Sequence, residues 1–270
     1  MAHTILPRLP TAEEITKRLS GQNYLLELLQ MRSLDCKFWM DDFDGDAVLG
    51  EWATLTNGAG AVALAVSNDL LNGVGRMTTG TALSGYSGAS LRTCYRADMN
   101  CVVACRLQLS AITTVKCEVG FTDAVGDAGA VNALGNDGAA ATFTATDAAV
   151  WAVDRDTSSA LWQAVGVDSG TVATKINPTS DQVGPAAATY ETLIVALQEY
   201  DVTNRRAAAK FIRLNSDGHL TYESDWMREI NSGGISSDIL LTPWVFVQAT
   251  AASASRDCDI DYLAVWQSRA

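Results

Sequence analysis

From Phe38 onward, hydrophobic and polar residues alternate along short stretches that clusters of Gly, Asn, Asp and Ser separate. A period of two is typical of β-strands with one buried face, and about a dozen such stretches follow one another without a strong helical pattern. The pattern predicts an all-β domain, an antiparallel β-sandwich, over residues 36–270 and argues against a parallel α/β fold.

Two of these stretches carry cysteines at predicted strand positions. Val103, Cys105 and Leu107 share one face of a strand, and Cys117 shares a face with Val119 in the next one. The six cysteines of the chain match no zinc-binding spacing. We therefore interpret Cys105 and Cys117 as small buried hydrophobic residues.

Two connecting segments have distinctive compositions. The run RLNSDGHLTY predicts a β-hairpin, because Gly218 accepts a positive φ where the chain reverses toward Tyr222. Residues 125–141 are rich in Ala, Gly and Asp, and we expect them to form a long surface loop within one domain.

Residues 1–35 predict a short helical N-terminal arm instead of strands. Thr11 and Glu14 form a capping box for a first helix, which Gly21 ends. A second helix is predicted from Asn23, and its apolar residues form the predicted partner-binding surface of the arm: Tyr24, Leu25, Leu28, Leu29 and Met31. This helix needs an apolar surface, either on its own β domain or on a neighbouring copy or protein. We therefore assign the arm to attachment or oligomerisation.

Composition and charge exclude several classes of protein. The chain has 270 residues and a formal net charge of -12, and acidity of this degree repels phosphate backbones. No apolar run reaches the roughly 18 residues of a membrane span, and the first residues lack the pattern of a cleaved signal. We expect no nucleic-acid partner and no membrane association.

The stretch FWMDDFDGDAVLGEW, residues 38–52, combines carboxylates with aromatic residues. Asp42, Asp44 and Asp46 match the first three ligands of an EF-hand loop, but Ala47 and Ala53 stand where that loop needs Gly and Glu. No metal is predicted, and the three aspartates are the candidate ligands of a looser calcium site.

The favoured interpretation of this stretch is structural. Its aspartates cap a turn and protect an exposed sheet edge from pairing with other sheets. We expect four of its apolar side chains to face the core: Phe38, Met40, Phe43 and Trp52.

No catalytic residue and no cofactor are predicted. Glu223 and Glu229 flank Asp225 in ESDWMRE, but a regular strand would separate the two glutamates by about 20 Å, and retaining glycoside hydrolysis needs carboxyl groups about 5 Å apart. His3 and His219 are the two histidines, and neither lies where the base of a Ser-His-Asp triad is expected. The sequence contains no glycine motif for nucleotide phosphates.

Tryptophans are the candidate contacts for a carbohydrate, because their faces can stack on sugar rings. Trp52, Trp244 and Trp266 lie in alternating strands and are assigned to the core. Three others are less constrained by their neighbours and remain candidate sugar contacts: Trp151, Trp162 and Trp226.

Several motifs occur together in a recognisable order: DDFDGD, GEW, GRMTTG, RLQLSAITTVKCEVGFTDA, RLNSDGHL, LLTPWVFVQA and DIDYLAVWQSR. In this order they resemble a virion-associated β-sandwich of tailed bacteriophages, a group similar to the concanavalin A-like lectin and glucanase jelly roll. The resemblance covers Phe38 to Arg269 and implies two facing antiparallel sheets, with the last strand, Asp259 to Trp266, beside the first.

The resemblance implies a non-enzymatic virion structural protein, a capsid decoration or head-fibre component attached by the arm and assembled in the host cytoplasm. Its expected partners are the major capsid protein or other virion proteins and further copies of itself, with a trimer as one form. The alternative is a tail-associated carbohydrate-binding module that contacts host-surface glycans. A glycoside hydrolase is the less favoured third hypothesis.

Overall fold

The protein is described by a computed structural model that covers residues 36–67, 73–126, 129–133, 142–154, 161–168, 184–228, 235–252 and 255–268. These residues form antiparallel β-strands and one short 3-10 helix, Ala97–Met99. In chain order the strands are β1 Cys36–Asp41, β2 Ala53–Asn57, β3 Ala61–Val66, β4 Gly75–Thr79, β5 Tyr86–Ser90, β6 Val102–Leu109, β7 Val115–Thr122, β8 Val131–Ala133, β9 Thr142–Phe143, β10 Ala148–Asp154, β11 Gln163–Val167, β12 Glu191–Asp201, β13 Arg206–Leu214, β14 Leu220–Glu223, β15 Ile235–Ser236, β16 Thr242–Ala249 and β17 Asp257–Ser268. Within the described ranges, no helix has the length and apolar character needed to cross a membrane.

The strands form two large sheets and one small one. The larger sheet has nine strands, ordered β14-β13-β12-β6-β17-β4-β3, with β1 also paired to β17 and β15 to β13. The smaller main sheet has six strands, ordered β11-β10-β7-β16-β5-β2, and β8 pairs with β9 separately. The predicted all-β sandwich is confirmed, and so is the predicted return of the last strand, because Phe38 of β1 pairs with Trp266 of β17.

A hydrophobic core fills the space between the inner faces of the two large sheets. Val103, Cys105 and Leu107 of β6 enter this core from the larger sheet, and Cys117 and Val119 of β7 enter it from the smaller one. All five are buried. The strand parity predicted from the period of two is therefore confirmed, and so is the burial of both cysteines.

The predicted hairpin is also confirmed. β13 and β14 pair across a turn in which the backbone N–H of Gly218 donates to the carbonyl of Asn215 at 3.0 Å. Gly218 has a φ of +79°, a conformation that glycine adopts without the steric cost of a side chain.

The first strand differs from the prediction in the direction of its side chains. Phe38 and Met40 pack on the outer face of the larger sheet, so their expected place in the core between the sheets is wrong. Trp39 takes the inward position and meets the Trp52 ring edge-on at 5.4 Å between centroids. Phe43 is buried in the core, as predicted, and stacks on Trp52 at 6.1 Å.

Part of the predicted surface loop, residues 125–141, is instead packed against the smaller sheet. Ala130 and Val131 are buried on its outer face. Their backbone N–H groups donate to the buried carboxylate of Glu118 at 2.7 and 3.1 Å, and this anchoring gives the physical reason for the difference.

Candidate functional site

A β-bulge in β17 brings two aspartates onto the outer face of the larger sheet. Cys258 and Ile260 point into the core between the sheets, so Asp259 between them points outward. The pairing of β17 with β6 shifts register between Ile260 and Tyr262, which leaves Asp261 as the extra residue of the bulge. Bulges of this kind redirect side chains and are frequent at functional sites.

The carboxylate of Asp259 is fixed by side chains of the two neighbouring strands. Arg76 of β4 donates to it twice, from Nε at 2.6 Å and from Nη2 at 3.0 Å. Gln108 of β6 donates from Nε2 at 3.1 Å. The Asp259 side chain is only 6% exposed, whereas that of Arg76 is 33% exposed, so the carboxylate is rigid and the guanidinium reaches solvent.

A second ion pair extends this arrangement toward β12. Arg106 of β6 donates to Asp261 at 2.6 Å, and its guanidinium carbon lies 4.6 Å from the ring centroid of Tyr190. Burial raises the pKa of Tyr190 to about 12, and the negative charges of Asp259 and Asp261 act in the same direction. We call these six residues the polar row: Arg76, Arg106, Gln108, Tyr190, Asp259 and Asp261.

The polar row crosses four neighbouring strand positions, from β12 through β6 and β17 to β4, a width of about 14 Å at normal strand spacing. It presents guanidinium and amide donors beside carboxylate acceptors, a set that can hydrogen-bond hydroxyl groups, which both donate and accept. Because Asp259 and Asp261 already pair with arginines, the row is arranged for binding a polar ligand more than for proton transfer.

The predicted carbohydrate contacts at Trp151 and Trp162 are corrected by their burial. Both side chains are fully buried, so neither ring face is open to a ligand. The Trp151 indole donates to the carbonyl of Ile194 at 3.1 Å, and the Trp162 indole donates to the Glu191 carboxylate at 2.7 Å. Trp226 is partly exposed, with the ammonium of Lys210 at 5.9 Å from its ring centroid.

The other candidate residues do not come together with the polar row. Asp42, Asp44 and Asp46 are exposed in the connection between β1 and β2. Across the described ranges, no group of three His, Cys, Asp or Glu side chains is placed to hold a metal ion. Glu223 pairs with Lys210 at 2.5 Å. Outside the described residues lie Glu229, His3 and the predicted arm contacts Tyr24, Leu25, Leu28, Leu29 and Met31.

Sequence reasoning missed the polar row. Its local signal is the run DCDID, residues 257–261, in which aspartates alternate with Cys258 and Ile260. The partners of these aspartates lie far away along the chain, since Arg76 and Asp259 are separated by 183 positions. Only the strand order of the larger sheet brings them together.

No protein-family model matches this chain, and a comparison with curated proteins gives no match. Solved structures do show the same fold. One is a protein of unknown function from Shewanella oneidensis MR-1, with a TM-score of 0.57 and 10% identity over 92% of this chain and 95% of that chain. Peanut lectin with a 9-residue peptide has a TM-score of 0.52 and 8% identity, over 87% of this chain and 98% of the lectin.

Arcelin-5, a lectin-like defence protein from Phaseolus vulgaris, is also similar, with a TM-score of 0.52 and 8% identity over 87% of this chain and 100% of arcelin-5. At identities this low, the likeness concerns the fold alone. The chain therefore has a lectin-like jelly-roll fold of the concanavalin A type, as the sequence resemblance implied.

Proposed function

We propose that this protein is a non-enzymatic structural protein of a bacteriophage particle, a capsid decoration or head-fibre component attached by its N-terminal arm, residues 1–35. The ordered motifs from Phe38 to Arg269 support the virion role. One structural observation carries the non-enzymatic part: Asp259 and Asp261, on the outer face of the larger sheet, are each held by an arginine. Its partners are the major capsid protein or other virion proteins, and further copies of the same chain.

Quantitative mass spectrometry of purified phage particles tests this proposal. The protein should copurify with the particles, and its ratio to the major shell protein locates it. A ratio close to that of a shell protein identifies a decoration protein, and a few copies per particle identify a fibre or tail protein. Absence from purified particles overturns the virion role.

A truncation tests attachment by the arm. A chain that lacks residues 1–22 retains the whole β-sandwich and the second predicted helix, so it should fold and fail to be incorporated. The full-length chain, expressed at the same level, is the control. Incorporation of the truncated chain at the full-length level contradicts attachment through this part of the arm.

The polar row favours a second candidate, a tail-associated carbohydrate-binding module. Its donors and acceptors are fixed side by side, which lowers the entropy cost of holding a polyhydroxylated ligand. Tyr190 adds an aromatic ring to the same surface. The lectin-like fold is compatible with this function, and the row on the outer face of the larger sheet is its candidate binding surface.

A glycan array with the full-length protein tests the second candidate. Specific binding should weaken at least about tenfold, or about 1.4 kcal/mol, in Arg106→Lys and Gln108→Leu, which remove a planar donor without removing a strand residue. His219→Ala, in the exposed hairpin, should bind like the wild type. Binding that Trp226→Ala abolishes and the row variants leave intact would move the site to Trp226.

An assay for released reducing sugar tests the non-enzymatic part of both candidates. The wild-type protein should release none from any glycan that it binds. Release that Asp259→Asn or Glu223→Gln abolishes would establish a glycoside hydrolase instead.

A further inference from the structure

Beyond the polar row, the outer face of the larger sheet carries a cluster of apolar side chains. Five strands contribute to this region, which we call the outer patch: Met40 of β1, Trp266 of β17, Ala104 of β6, Ile194 of β12 and Ile212 of β13. The five strands are neighbours in the sheet, so the patch is about 19 Å wide at normal strand spacing.

The residues of the outer patch point away from the second sheet. Val103 and Cys105 flank Ala104 in β6, and both enter the core between the sheets. An antiparallel sheet with a solvated outer face normally carries polar residues there. This patch carries large apolar side chains instead, and Ala104 and Ile194 on it are fully buried. A continuous apolar surface of this kind requires a cover.

The start of the described chain indicates what supplies the cover. β1 begins at Cys36, which pairs with Ser268 at the margin of the outer patch, and Met40 is already part of the patch. The residues immediately before β1 are those for which the sequence predicts an apolar helix, from Asn23 to Leu34. Twelve helical residues extend about 18 Å, which matches the width of the patch.

We propose that residues 23–34 cover the outer patch of their own chain. The direct connection to β1 holds this segment beside the patch, which favours its own sheet over that of a second copy. The apolar residues first predicted as partner contacts, Tyr24 to Met31, then bury their side chains against the patch of their own chain instead, and residues 1–22 are left to reach a neighbour in the particle. The contact is a property of the isolated chain and does not depend on the virion role.

Photo-crosslinking in the isolated full-length protein tests this contact. A benzoylphenylalanine is placed at Leu25, and equal amounts of unlabelled and 15N-labelled protein are unfolded together and refolded before irradiation. Cross-links should reach β6, β12 or β13 of the outer patch, and both linked peptides should carry the same isotope. Mixed-isotope links would show that a second copy supplies the cover, and links confined to other surfaces would overturn the assignment.

A matched pair of variants separates a docked helix from a chance encounter. Leu28→Asp should lower the yield of these cross-links at least about tenfold. Burial of the leucine side chain stabilises the contact, whereas burial of a carboxylate at the same position destabilises it. Gln30→Glu adds the same charge at a polar position of the predicted helix and should leave the yield within about twofold. Equal yields in both variants would contradict docking through the apolar stripe. The isolated chain serves for these tests, so their outcome is independent of particle incorporation.

Discussion

The ammonium of Lys116 and the carboxylate of Glu118 lie 3.3 Å apart on the outer face of the smaller sheet, where both side chains are buried. Glu118 also accepts hydrogen bonds from the backbone of Ala130 and Val131 and from the indole of Trp244. One carboxylate therefore joins β7, β16 and the start of β8. Removing one partner of a buried, hydrogen-bonded pair of this kind is strongly destabilising.

Glu118→Gln should lower the free energy of unfolding by about 3 to 5 kcal/mol, because it breaks the buried ion pair with Lys116 and weakens the buried hydrogen bonds that the carboxylate accepts. Urea unfolding followed by tryptophan fluorescence measures the change. Asp238→Asn is the matched control, since the side chains of Asp238 and its partner Arg205 are 31% and 69% exposed and the loss of this pair should cost much less. Equal losses in the two variants would show that burial does not determine the strength of these pairs.

Trp162→Phe should lower the free energy of unfolding by about 3 kcal/mol, because the buried Glu191 carboxylate loses an indole donor and the core loses volume. Trp226→Phe removes the same atoms from a partly exposed ring and should cost less than about 1 kcal/mol. The two variants are compared by urea unfolding. A larger loss at Trp226 would contradict the assignment of Trp162 to the core.

Stability should depend on pH through Asp147. Burial raises the pKa of Asp147 above its ordinary value of 3.8, with a smaller opposing effect from its hydrogen bonds to Ser236. Between the ordinary and the raised pKa, the folded protein binds more protons than the unfolded chain, so this group lowers the free energy of unfolding as pH rises. Asp147→Asn should remove that component of the pH dependence.

Unfolding in urea at several pH values, from below 3.8 to neutral, measures this effect. The difference in stability between wild type and Asp147→Asn should shift in favour of the variant as pH rises. Asp217→Asn, in the exposed hairpin turn, controls for the change in net charge. A difference that stays constant across the range, or that shifts toward the wild type, would contradict the raised pKa.

Cysteine alkylation should separate Cys94 from the cysteines of the core. Cys94 is partly exposed, whereas Cys105, Cys117 and Cys258 are fully buried. Burial also raises the pKa of the Cys105 and Cys117 thiols, which lowers the amount of reactive thiolate. Iodoacetamide at pH 8 should modify Cys94 in the native protein and should modify the four buried cysteines of the described residues, Cys101, Cys105, Cys117 and Cys258, only after unfolding. Peptide mass spectrometry reads each site, and native labelling of Cys117 at the rate of Cys94 would contradict this packing.

The sequence pattern predicted the fold well where one face of a strand is apolar and the other is not. β6 shows this case toward its end, where Leu107 and Leu109 are buried in the core and Arg106 and Gln108 between them point outward. In β1 the pattern fails, because Phe38, Trp39 and Met40 are consecutive and apolar. The sequence therefore does not show which face of this strand is buried between the sheets. The larger sheet is apolar on both faces at this point. The residues of β1 alone therefore do not determine which of its side chains face the core.

The candidate site was less predictable than the fold for the same physical reason. Trp151 lies in β10, a strand in which all residues are buried, so local alternation gave no sign that its ring belongs to the core. The polar row depends on pairs between Arg76 and Asp259 and between Arg106 and Asp261. Such pairs arise from strand order, which a local pattern of residues does not encode.

Pairing of β1 with β17 sets Cys36 directly opposite Ser268. Opposed residues of antiparallel strands have Cα atoms about 5 Å apart. A linker of a few residues is therefore long enough to join residue 268 to residue 36 and make the chain circular. New ends could then be opened at the hairpin near Gly218, yielding a circularly permuted domain. In the unpermuted chain, any protein fused after residue 268 would lie beside the start of β1, where the arm joins the sandwich.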